Sequence, residues 1–243
     1  MSTGVVLMTY GAPHGEADLP RYLAAVRGGR AADPALVAEM ARRYAVIGGS
    51  PLVERTVAQA VSLERELGGG YRCVAGMRFS PPTVADAVGS LAAAGATRVV
   101  GICMSPQWSP LLMGGYEREL RAAADAAGCG AAIAGAWHRE PLFIASLAER
   151  TRDALRGLDD PFVLLTAHSL PKRVFDAEPG YIRQLRETGD LVAAAAGLHG
   201  DRWRWAYQSA GHTQEEWLRP DLVELFPDIV ATGTREILVV PVQ

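Results

Sequence analysis

Lysine is almost missing from this chain: Lys172 is the single lysine among 24 basic residues. Together with the abundance of Ala and Gly, that skew fits a GC-rich genome better than a chemistry. Positive charge is not in excess either. The 27 acidic residues leave a net charge of -3, which argues against a protein whose main task is gripping nucleic acid. Cysteine is scarce, and Cys73, Cys103 and Cys129 form no CxxC pair, so neither a zinc ribbon nor a disulfide scaffold is expected. No apolar run reaches the ~18 residues that a membrane span needs. Met1 to Thr9 has no basic n-region, so no secretory signal is read there. These absences predict a soluble protein of the reducing cytoplasm. GxGxxG and GxxxxGK[ST] are both absent, which weakens a nucleotide-binding reading. At 49% hydrophobic and 21% charged over 243 residues, the chain can fill the core of one large α/β domain or two small ones.

What is present alternates. Val5–Thr9 is an apolar run with almost no polar interruption, the pattern of a strand buried on both faces. Phe162–Thr166 repeats it. Strands are also read at 71–76, 98–104, 131–136, 203–208 and 236–240. Helical periodicity falls at 34–47, from Pro51 to Leu67, and at 83–94, 115–127, 141–155, 181–196 and 217–226. Strand–helix alternation predicts parallel sheets covered by helices. The expected fold is α/β, with two Rossmann-like doubly wound parallel-sheet halves: 1–140 and an incomplete 141–243. Four strands fall in the first and three in the second. A chain stopping just after a buried strand looks cut off, because such a strand usually feeds a covering helix.

In open α/β sheets ligands bind beyond the carboxyl ends of the strands. That rule selects Tyr10–Pro13, Met77–Ser80, Ser105–Trp108, Ala167–Pro171 and Gln208–His212. Aromatics, a methionine, two histidines and few acids suit a flat, largely apolar ligand with polar edges. His168 directly follows a buried strand. It reads as a general base or metal ligand, or as a turn histidine satisfied by backbone. His212 has the same logic, whereas His14, His138 and His199 read as ordinary surface or turn residues. Tyr10 is either a site residue or a packing aromatic at the sheet edge. Arg27 and Arg43 flank the first two helices, as solvated arginines or as carboxylate clamps. Ser50 reads as the N-cap of the helix that Pro51 opens, whose N–H groups could also receive an anion.

These motifs, in this order, resemble the ferrochelatase family over essentially the whole length. The matching segments are LMTYGAP at 7–13, YLAAVRGGR at 22–30, ARRYAVIGGSPL at 41–52, SPQWSPLLMGGY at 105–116, LLTAHSLP at 164–171, YQSAGHTQEEWLRPDL at 207–222 and ILVVPV at 237–242. The resemblance implies two Rossmann-like halves with a porphyrin cleft between them, and insertion of ferrous iron into the porphyrin. By that resemblance His168 contacts the metal or takes a pyrrole proton. Tyr10 matches a tyrosine that ligates the product iron from the opposite face in the coproporphyrin-using branch, which tilts the expected substrate toward coproporphyrin III. Arg27, Arg43, Tyr44, Ser50 and Tyr116 match positions lining the macrocycle and holding its propionates. No cofactor beyond substrate iron, no iron–sulfur cluster and no nucleic-acid partner are expected.

The chain also departs from the family pattern. A glutamate that follows the strand matching ILVVPV in the family has no counterpart here, so truncation at the C-terminus is expected. Gly28 stands where an arginine is common, GGSPL is one residue short of GGxSPL, and Ala210 occupies an often acidic position. A non-catalytic tetrapyrrole-binding protein and a cobalt or nickel chelatase of the same fold are the alternatives.

Overall fold

A computed structural model describes residues 2–211 and 214–243. It divides into two units, one of residues through 104 together with 113–135, the other of 105–112 together with 136–243. The first is built around β1 (Ser2–Thr9), whose residues from Gly4 onward are all buried. A strand with both faces covered needs no alternation, which is why this run is continuously apolar. With β2 (Tyr71–Met77), β3 (Ala96–Cys103) and β4 (Gly130–Ile133) it forms a parallel sheet of order β2-β1-β3-β4. The chain steps outward from β1 to β2 and then crosses back to β3. The carboxyl ends of β1 and β3 are therefore the topological switch point of this sheet.

Three helices fill the path from β1 to β2: α1 (Leu19–Val26), α2 (Pro34–Ile47) and α3 (Leu52–Leu67). α4 (Val84–Ala93) and α5 (Pro110–Ala126) follow β2 and β3. Val5, Leu7 and Cys73 pack on Ala60 of α3, with Leu63, Ile102 and Met104 around them. α2 is bounded as its sequence suggests. The Asp33 carboxylate accepts the Ala35 N–H at 2.7 Å, Pro34 opens the first turn, and Gly48 closes the helix in the left-handed region at φ 72°. None of its residues is fully buried.

The second unit centres on β5 (Phe162–His168), flanked by β6 (Trp203–Gln208) and β7 (Ile237–Pro241) in a parallel sheet of order β6-β5-β7. Its helices are α6 (Pro141–Leu155), α7 (Lys172–Ala177), α8 (Pro179–Ala196) and α9 (Leu222–Ala231). Phe162, Leu164 and Ile229 form its core with Leu222, Leu225, Phe226 and Ile237. Two parallel-sheet halves, of four and three strands, match the fold class expected from the alternation.

Several boundaries differ from the sequence reading, each for a local reason. α5 begins at Pro110 rather than Gly115, because Ser109 Oγ accepts the Leu112 N–H at 3.0 Å and starts the helix a turn and a half earlier. β4 ends at Ile133 rather than 136, since its ladder to β3 spans only Gly130–Ile133. β5 runs through His168, two residues beyond the apolar run, because Ala167 and His168 still pair with Tyr207 and Gln208. α9 begins at Leu222, not Trp217. The Asp221 carboxylate accepts the Val223 N–H at 3.0 Å, and Glu224 accepts the Asp221 N–H at 3.0 Å, a capping box that fixes the start. Trp217 instead bridges Pro171.

Leu164 has no exposed surface, whereas Leu142 at the start of α6 is 79% exposed. Leu164→Ala is expected to cost about 2–5 kcal/mol and Leu142→Ala no more than about 0.5 kcal/mol in urea titrations. Equal effects would contradict the assigned core.

Candidate functional site

The carboxyl end of β1 is held by a tight turn. Gly11 has φ 91°, and a Cβ there would overlap the Ser80 hydroxyl. Ser80 Oγ accepts the Ala12 N–H at 3.2 Å, and the buried Tyr22 hydroxyl donates to the Gly11 carbonyl at 3.0 Å. Only glycine can satisfy both the left-handed backbone and the close approach. This turn fixes Tyr10, which is 44% exposed. Its ring meets Phe79 edge-on with centroids 4.5 Å apart. Burial raises the Tyr10 phenol above its ordinary range, and the Arg78 charge opposes that rise.

Beside this turn lies a cavity of about 640 Å³. Ala12, Pro13 and His14 form its β1 side, and Tyr44, Ile47 and Ser50 line it from the other. That volume falls in the range of small-molecule sites. Tyr44 and Ser50 are thus brought together with the residues that follow Tyr10. Burial raises the Tyr44 phenol above its ordinary range, and the neighbouring Tyr22 hydroxyl opposes that rise. Ser50 is not the N-cap of α3. Pro51 takes that place, and Ser50 Oγ accepts the Leu52 N–H from one residue earlier at 3.4 Å.

One of the two arginines is placed differently from the sequence reading. Arg43 lies within α2 rather than flanking it, and its Nε is 2.7 Å from the Glu39 carboxylate. Arg42 grips the same carboxylate, and the pair holds Glu39 down to about 2. Arg27 caps the carboxyl end of α1 and is exposed. Among the described residues it has no carboxylate partner. Neither arginine lines the cavity.

Tyr116 on α5 is only 7% exposed. Its ring lies under the Arg78 guanidinium at 5.3 Å, and the same guanidinium covers Phe79 at 4.8 Å. Arg78 Nε donates to Glu119 at 3.0 Å. A Cβ at Gly115 would overlap this guanidinium, so the glycine on α5 makes room for it. The Arg78–Phe79–Glu119 set is new relative to the sequence reading, which selected the 77–80 loop but gave Arg78 no role. The one signal was the Gly114–Gly115 pair inside a helical pattern, which marks close approach.

In the second unit, His168 ends the central strand, and its backbone has left the core. Partial burial lowers its imidazole pKa below the ordinary 6.5, so the ring is neutral at pH 7 and able to accept a proton. His138 lies in a turn, one of its two expected settings, but not at the surface. It is buried, with Nε2 2.9 Å from Glu187 on α8. His212 lies outside the described residues. Among the described residues no three His, Cys, Asp or Glu side chains gather as a metal-holding set, and no helix is long and apolar enough to cross a membrane.

The model of the Ferrochelatase family matches residues 2–243. The chain belongs to the ferrochelatase family. It is 37% identical to the ferrochelatase of Deinococcus radiodurans across 97% of this chain and 78% of that protein. It is 33% identical to the coproporphyrin III ferrochelatase of a Geobacillus strain across 91% of this chain and 75% of that protein. For the coproporphyrin III ferrochelatase of Bacillus subtilis the figures are 30%, 98% and 81%. Ferrochelatase membership makes this chain a porphyrin metal chelatase, a lyase of heme biosynthesis.

The Gly11 turn gives a direct test of this ferrochelatase's site geometry. Gly11→Ala is expected to lower stability by about 1–3 kcal/mol and to change Tyr10 fluorescence quenching by its neighbours. An unaltered denaturation midpoint would show that the turn is not constrained as described.

Proposed function

We propose that this chain inserts ferrous iron into coproporphyrin III, with His168 as the group that takes a pyrrole proton or transiently ligates the entering metal. Membership of the ferrochelatase family supplies the iron and the porphyrin. The tilt to coproporphyrin III rests on Tyr10 and on relatives named for that substrate. The observation that carries the assignment of His168 is its position. A neutral imidazole stands at the carboxyl end of the central strand of its sheet, where the fold presents ligand-binding residues.

Metallation must remove two N–H protons from the ring and strip water from the iron. An imidazole kept neutral can receive a proton at the operating pH, and it can replace a water on the metal. Tyr10 is the second proposed metal contact. Its phenol must deprotonate to ligate iron; burial opposes that, and the Arg78 charge offsets part of the opposition. Tyr44 and Ser50 line the cavity beside Tyr10 and are assigned to the porphyrin edge. Tyr116, stacked under Arg78, is assigned to backing the same wall. Arg27 is free to meet a propionate, since coproporphyrin carries four carboxylates. Arg43 would have to exchange Glu39 for one. Binding energy collected at the rim can bend the macrocycle and expose its nitrogen lone pairs.

Two outcomes are expected in a spectroscopic metallation assay. His168→Ala lowers kcat by about 10²–10⁴-fold while porphyrin still binds; a loss under threefold would remove His168 from the chemistry. Arg27→Ala raises the porphyrin KM by about 3–10-fold with little change in kcat; a fall in kcat alone would contradict a propionate clamp.

The acid limb carries its own sign. Because the folded pKa of His168 lies below 6.5, kcat is expected to fall on acidification with its midpoint below pH 6.5. The unfolded chain takes up this proton first, so the stability contributed by the neutral ring is full above 6.5 and is lost as pH drops toward the folded value. A kcat that rises on acidification would contradict the proton-acceptor role.

A further inference from the structure

Deepening the proposed role of His168, and resting on it, we infer that Gln243 and the buried Tyr181 form a positioning pair that fixes the His168 peptide at the end of β5. The ladder between β5 and β7 ends at Thr166 and Pro241, with one further backbone bond from the Val242 N–H to the Thr166 carbonyl at 2.9 Å. The next donor on that edge is the His168 N–H. It donates not to backbone but to the Gln243 side-chain carbonyl, at 3.3 Å. The Gln243 side chain thus supplies the acceptor for this N–H. On the opposite edge the Ser169 N–H donates to the Gln208 carbonyl at 2.8 Å. The peptide that carries the imidazole is held from both sides.

An amide side chain can turn over, exchanging its oxygen for its nitrogen, and it would then present a donor to a donor. Tyr181 prevents this. The Gln243 Nε2 group donates to the Tyr181 hydroxyl at 2.6 Å, which leaves the oxygen facing His168. Tyr181 is 1% exposed and sits on α8, so its hydroxyl has a fixed place. Burial pushes that phenol up to about 12, and it stays a neutral hydroxyl throughout the working range. Neither residue touches the reacting atoms in this assignment; they act through the His168 backbone. Sequence reading passed over both, since Tyr181 was read only as the start of a helix and Gln243 only as the residue after a strand.

The test uses the full chain and two readouts. In Gln243→Met, of similar length but without an acceptor, the His168 amide is expected to exchange with solvent about tenfold faster in NMR, and kcat to fall about tenfold with the porphyrin KM unchanged. Gln243→Glu keeps an acceptor for the His168 N–H, and its second oxygen can accept the Tyr181 O–H. It is expected to recover most of both losses. Tyr181→Phe, which leaves the backbone contact but frees the amide to turn, should reproduce the Met variant in milder form, and the two changes together should be less than additive. Unchanged amide exchange in Gln243→Met, or a loss that appears in KM rather than kcat, would overturn the pair. Exchange that accelerates as expected while His168→Ala leaves metallation intact would sustain the pair and reject His168 as the chemical group.

Discussion

Burial of the central strand on both faces is the constraint on which the rest depends. A parallel strand whose two faces are covered disfavours charged or titratable side chains along its length, because such a group would lose its water with little to replace it. The first position free of that restriction is the residue at or just beyond the carboxyl end. β1 and β5 are both built this way. Each delivers one titratable ring at that point, Tyr10 in one unit and His168 in the other. The apolar runs are therefore what decide where chemistry can occur.

The surrounding side chains then set which protonation state each ring holds. His168 is sheltered enough to stay neutral, and neutrality suits both accepting a proton and approaching a cation. Burial keeps Tyr10 neutral as well, as a protonated phenol, and the Arg78 charge offsets only part of that effect. Arg78 also covers Phe79 and Tyr116 and pairs with Glu119. One arginine thus joins the loop after β2 to α5 and charges the neighbourhood of Tyr10. α2, with Tyr44 facing the cavity, has no fully buried residue. It is the least anchored wall of this region, and local openings concentrate in such thinly packed elements.

The sheets, their order of elements and most helices were legible because they depend on local signals. Apolar runs marked the strands, and Pro34, Gly48 and Gly68 marked helix ends. Boundaries slipped where the deciding interaction came from outside the periodic stretch, as with the Ser109 cap of α5 or the Asp221–Glu224 box of α9. The strand-end positions of Tyr10 and His168 were legible from the apolar runs before them, and Tyr44 and Ser50, selected by the family motif, line one cavity. Arg78 and the Gln243–Tyr181 pair were not legible, because their roles come from contacts 41 and 62 residues apart in sequence. The burial of His138 was missed for the same reason: nothing near it in the chain announces Glu187, 49 residues away.

The central claim is that this chain metallates a porphyrin rather than merely holding one. The most direct measurement is anaerobic absorbance spectroscopy of coproporphyrin III mixed with the protein and ferrous iron. The account predicts that the four visible bands of the free base collapse to two at a rate proportional to protein concentration. A shifted Soret band with the four-band pattern persisting, at the rate seen without protein, would contradict it.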